Sequence, residues 1–123
     1  MQVIHVKFND LNRQYLDIKE DVDSEIKDML KNSSFVGGQD VEMFETEFAQ
    51  KMCCDFSVSC GNGTDALHIA LKALKITVGD EVIVPAHTWF STSEVVASVG
   101  ATLVFCDTEE HSCLIDPEAI EQL

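Results

Sequence analysis

From Asp10 to Asn32 the apolar residues Leu11, Tyr15, Ile18, Val22, Ile26 and Met29 or Leu30 recur at spacings of three and four, which draws one stripe along a long helix. Acids and lysines fill its other face. The segment Ser33-Ser34-Phe35-Val36-Gly37-Gly38 breaks the pattern. Val41, Phe44, Phe48 and Met52 then predict a second helix over 41–52, with Asp40 positioned to cap it. Both stripes read as packing surfaces or an oligomer seam.

Beyond residue 55 the period changes. Phe56–Cys60 is strand-like, Ala66–Lys75 helical, Val82–Val84 a short apolar strand, Ser91–Val99 helical and Thr102–Cys106 a further strand. This βαβαβ order, with strands apolar along their length, predicts an α/β fold whose parallel sheet is covered on both faces by helices. Thr77-Val78-Gly79-Asp80 and Gly100-Ala101 supply the turns into the last two strands. Asp116-Pro117-Glu118 has the N-cap, first-turn proline and acid of one more helix. The organisation expected is a helical segment over 1–55 followed by βαβαβ units over 56–123. Three strands leave open sheet edges, and the last helix has room for about two turns, so the chain is expected to be part of a longer domain.

Composition narrows the function classes. Of 123 residues, 46% are hydrophobic, enough to build a core. Twenty-two acids against eight basic residues give a net charge of −14, which argues against nucleic acid and anionic membrane as partners. Met1–Val6 shows no leader pattern and no apolar run approaches bilayer length, so the expected location is cytoplasmic. The five cysteines, at 53, 54, 60, 106 and 113, include no Cys-x-x-Cys pair, and neither a disulfide framework nor a metal site is expected. Cys60 and Cys106 end apolar runs and read as small buried hydrophobes.

The candidate chemistry centres on Ser59-Cys60-Gly61-Asn62-Gly63-Thr64-Asp65-Ala66-Leu67, a strand-to-helix turn with two glycines. Asn62 or Thr64 is suited to cap the helix, whose first N–H groups and dipole favour an anion such as a phosphate. A capped turn without a ligand is the plainer alternative. Gly61 to Ala66 also satisfies the literal G-x-G-x-x-G/A pattern, yet Val84 is followed by Pro85 and Ala86, and Glu81 lies at the wrong end of its strand to bind a ribose. No Gly-Lys-Ser/Thr phosphate loop occurs. In a parallel sheet the loops after Cys60, Val84 and Cys106 share one rim, so the glycine turn, Pro85–Thr92 and Asp107–Glu110 are expected to converge. Trp89 is either a stacking surface for a flat ring or a core residue. His87 offers a general acid or base, but with no partner identified a surface or supporting role is the weightier reading.

Gly63-Thr64-Asp65-Ala66-Leu67, Gly79–Pro85, Thr88-Trp89, Gly100-Ala101 and Val104–Asp107, with Phe35–Gly38 and Phe44-Glu45 upstream, resemble the amino-terminal third of the DegT/DnrJ/EryC1/StrS sugar aminotransferases. The resemblance implies the large domain of fold-type I pyridoxal 5'-phosphate (PLP) enzymes, a three-layer α/β/α architecture with a mostly parallel sheet. It also implies PLP as cofactor, a nucleotide-linked keto sugar as substrate, glutamate as amino donor and a homodimer. Gly63, Thr64 and Asp65 match the segment that holds the PLP phosphate, and Trp89 matches the aromatic residue that stacks on the ring. Asn62 stands where many members have serine.

PLP transamination requires a Schiff-base lysine and a carboxylate against the ring nitrogen. Lysines 7, 19, 27, 31, 51, 72 and 75 match no such position, so no catalytic residue is expected within this chain and alone it is expected to be inactive. Three readings follow: a nucleotide-sugar aminotransferase of which this is a fragment, a related PLP-dependent sugar dehydratase, and a truncated noncatalytic binding or assembly module.

Overall fold

The computed structural model describes residues 6–123. Residues 1–5, which carry most of the leader reading, lie outside the described residues. The chain divides into two compact units, one ending at Val58 and the other spanning Ser59–Leu123.

The first unit holds α1 (Leu11–Asn32) and α2 (Gln39–Lys51). Asp10 caps α1, its carboxylate accepting from the Arg13 N–H at 3.2 Å. The C-terminus closes through Ser33, which takes the left-handed conformation (φ 54°) while the Ser34 N–H reaches back to the Met29 carbonyl at 3.0 Å. α2 begins two residues earlier than predicted. Gly38 (φ 93°) is its N-cap, so Asp40 lies in the first turn, where its charge favours the helix dipole instead of capping. Phe44 and Phe48 stack one turn apart with ring centroids 5.7 Å apart.

The second unit is α/β. α3 (Gly63–Ala73) leads to β1 (Glu81–Pro85), α4 (Phe90–Ser98), β2 (Thr102–Cys106) and the short α5 (Pro117–Ile120). β1 and β2 pair in parallel, Glu81 opposite Thr102 through Pro85 opposite Cys106. The ladder is extended at both ends: Thr102 N–H donates to the Asp80 carbonyl and Ala86 N–H to the Cys106 carbonyl, both at 2.8 Å. The α4 crossover packs on both strands and on α3. Val84, Val95, Val96 and Cys106 are buried, Val96 most completely. Asp116 caps α5 by accepting from the Glu118 N–H at 2.9 Å, as its sequence motif predicts.

Three expectations need correction. Phe56–Cys60 is extended but forms no strand, and the sheet has two strands among the described residues. A strand exists through its ladder partner, and this segment enters no ladder among the described residues; Phe56 is 87% and Val58 79% exposed. For the same reason Cys60 is exposed, its thiol directed to the Asn62 carbonyl at 3.4 Å, whereas Cys106 is buried as predicted. The predicted helix 66–75 lies at 63–73, because Lys75 adopts φ 63° to close its C-terminus, with the Ile76 N–H on the Leu71 carbonyl. An apolar hollow of about 220 Å³, lined by residues that include Leu67, Leu71, Val82, Val84 and Val95, runs along β1.

Candidate functional site

The glycine turn is built by reciprocal hydrogen bonds. Asn62 stands in extended backbone before α3, and its side-chain oxygen accepts from the Asp65 N–H at 2.9 Å. Its amide nitrogen donates to Asp65 Oδ2 at 3.0 Å. Of the two capping candidates, Asn62 therefore caps the helix. The first helical residues, Gly63 and Thr64, contribute donors that no preceding turn can satisfy.

Thr64 has a different partner. Its Oγ1 donates to Ser91 Oγ on α4 at 2.8 Å, tying the first turns of the two helices together across 27 residues of chain. Both residues are half-buried. α4 starts at Trp89, which supplies no side-chain cap; the Thr92 N–H instead reaches the Trp89 carbonyl at 3.0 Å. The Trp89 side chain is 81% exposed and lies at the rim, outside the core that the described residues form.

Gly63, Thr64, Leu67, Trp89, Ser91 and Thr92 line a hollow of about 330 Å³. Two of the three segments expected to converge do so here. Asp107–Glu110 does not line this hollow: the Asp107 carbonyl accepts from the Asp116 N–H at 3.1 Å and Glu109 accepts from the Ser112 hydroxyl at 2.6 Å, so the segment is engaged with its own turn. Of the four sequence-predicted site residues, Gly63, Thr64 and Trp89 meet at the hollow, while Asp65 lies outside its lining with its N–H and carboxylate both committed to Asn62. His87 is exposed and lines no part of it.

The lining carries no ionisable side chain, so its attraction for an anion comes from two helix N-termini and two paired hydroxyls. A Cβ built on Gly63 would meet nothing within 4 Å, so no contact among the described residues requires glycine there; the space is open to a ligand approaching the backbone. A larger hollow of about 470 Å³ in the first unit is lined by Glu42, Glu45 and Asp55 among others, and these carboxylates repel an anion. Ser91 escaped the sequence reading because its significance arises from a contact between two distant turns.

The model of the DegT/DnrJ/EryC1/StrS aminotransferase family matches residues 16–123. The chain is 36% identical over 116 residues to UDP-2-acetamido-2-deoxy-3-oxo-D-glucuronate aminotransferase of Pseudomonas aeruginosa, a match that covers 94% of this chain and 32% of that protein. Among solved structures, S. venezuelae DesV in complex with a ketimine intermediate is 37% identical, with a TM-score of 0.92 over 95% of this chain and 32% of its own. NtdA from Bacillus subtilis with bound cofactor PMP is 29% identical, with a TM-score of 0.91 over 99% of this chain and 28% of its own. The chain thus spans about a third of the length of the relatives it matches.

Proposed function

The chain belongs to the DegT/DnrJ/EryC1/StrS aminotransferase family, and from that premise we propose that it is the amino-terminal part of a PLP-dependent enzyme that transfers an amino group to a nucleotide-linked keto sugar. The observation that carries this reading is the meeting of Gly63, Thr64 and Trp89 around one uncharged hollow at the start of α3. A phosphate fits the helix end, and a flat pyridine ring fits the exposed indole face.

In this reading Gly63 lets the phosphate approach the backbone, Thr64 turns its hydroxyl proton from Ser91 to the phosphate and Trp89 stacks on the ring. Asp65 acts on the phosphate indirectly, by holding Asn62 and hence the turn in place. Bound PLP supplies the electron sink for moving an amino group from donor to acceptor. In this reading the covalent attachment of PLP falls to a part of the enzyme outside this chain. Taken alone, the chain then binds cofactor weakly and does not transaminate. Glutamate as amino donor, a homodimer and a cytoplasmic location complete the proposal and rest on the family resemblance.

The test is to purify the full-length enzyme and offer it PLP, glutamate and UDP- or dTDP-linked keto sugars, following sugar amination by mass spectrometry. Cofactor absorbance together with an aminated sugar is expected. A purified enzyme that takes up no PLP overturns the proposal.

A further inference from the structure

Two hydroxyl groups, Thr64 Oγ1 and Ser91 Oγ, share one hydrogen bond at 2.8 Å at the edge of the hollow, and both residues line it. Each hydroxyl has a single proton. Thr64 is the donor within the pair; the same bond can be held with Ser91 donating to Thr64, which frees the Thr64 proton for an acceptor outside the pair. A hydroxyl that is already accepting becomes the better donor, because hydrogen bonds in a chain polarise one another.

Resting on the phosphate reading of this hollow, we infer that Ser91 is a positioning residue for cofactor binding: its hydroxyl holds the Thr64 side chain and with it directs one hydroxyl proton to the phosphate. The same bond fixes the first turn of α3, which carries the phosphate cradle, against the first turn of α4, which begins at Trp89. A short CH₂–O linker bounds the distance between phosphate and ring in the cofactor. A tie between the two turns that hold its two ends keeps both sites in register.

Loss of the hydroxyl tie acts on the phosphate, whereas a general loss of packing acts on phosphate and ring alike. Ser91→Ala, Thr64→Val and the double variant are made in the full-length enzyme, and equilibrium affinity is measured for PLP and for pyridoxal, which has the same ring and lacks the phosphate. Ser91→Ala is expected to weaken PLP about five- to tenfold, the loss of one hydrogen bond in a chain that ends on a charged group, and to leave pyridoxal affinity unchanged. The double variant should bind PLP no more weakly than Thr64→Val, since Ser91 acts through Thr64. Unchanged PLP affinity in Ser91→Ala, equal losses for PLP and pyridoxal, or additive losses in the double variant each overturn the inference while leaving the cofactor reading intact. A wild-type enzyme that binds PLP no better than pyridoxal overturns the phosphate reading itself.

Discussion

The carboxylate of Asp65 folds back over Gly61, so that a Cβ at residue 61 would stand 2.7 Å from Asp65 Oδ2. Two residues further on, a Cβ at Gly63 would meet nothing within 4 Å. The two glycines of one turn thus have different reasons. Gly61 makes room for a neighbouring side chain, and the space beside Gly63 is open.

That difference predicts opposite phenotypes. Gly61→Ala should push the Asp65 carboxylate aside and cost roughly the Asn62–Asp65 hydrogen bond, about 1 kcal/mol of stability. Gly63→Ala should leave stability unchanged or raise it by up to about 1 kcal/mol, because alanine is the better helix former, while lowering PLP affinity. Thermal unfolding and cofactor titration of both variants in the full-length enzyme check this. A Gly63→Ala enzyme that keeps its PLP affinity counts against a phosphate at the α3 N-terminus.

Trp89→Ala should weaken PLP retention with little change in Tm, because an indole that is 81% exposed contributes little to the core and its loss removes only stacking. A large fall in Tm with unchanged cofactor affinity would assign Trp89 to packing in the full-length enzyme.

Asn62→Ala removes the N-cap of α3 and should cost about 1 kcal/mol, whereas Asn62→Ser, which retains a capping oxygen, should cost less. Denaturant midpoints of the two variants distinguish a cap from a residue that matters through its bulk. Equal losses would remove the capping role.

At Gly100 the constraint is backbone and space together: φ is +80°, and a Cβ would lie 2.8 Å from Val78 Cγ2. Gly100→Ala should destabilise by about 1–3 kcal/mol, and adding Val78→Ala should recover only the steric part. Chemical unfolding of the single and double variants gives the two contributions. Full recovery would show that the left-handed conformation costs nothing there.

On α1 the Tyr15 hydroxyl donates to Asp23 Oδ1 at 2.7 Å, and Lys19 Nζ donates to the Tyr15 hydroxyl at 3.0 Å and to Asp23. The hydrogen bond from Lys19, then that from Tyr15, holds the Asp23 carboxyl below its ordinary value of 3.8. The hydrogen bond to Asp23, then that to Tyr15, holds Lys19 above the ordinary lysine range. A depressed carboxylate contributes stability that is present above its unfolded pKa and lost as pH falls through its folded one; a raised lysine contributes below its unfolded pKa and loses that as pH rises through its folded one. The cluster is therefore effective across neutral pH and weakens at both extremes. Carboxyl NMR should show Asp23 titrating below 3.8 at low salt and moving toward it in 1 M salt, where the Debye length is about 3 Å. Titration at or above 3.8 at low salt would contradict the cluster.

Local patterning alone determined most of the elements and the turn chemistry. The three-and-four stripe and Asp10 mark α1 almost to the residue, Thr102–Cys106 is β2 as read, and Asp116-Pro117-Glu118 starts α5. Capping and periodicity act between residues a turn or less apart, so they are written in the order of the chain. The fate of Phe56–Cys60 was not written there, because apolar content permits a strand but only a paired neighbour makes one. The tertiary structure likewise decided that Trp89 stands at the rim and that Thr64 reaches Ser91. Each of these depends on where a side chain or a second turn lies in space, and a hydroxyl pair 27 residues apart in sequence leaves no periodic trace.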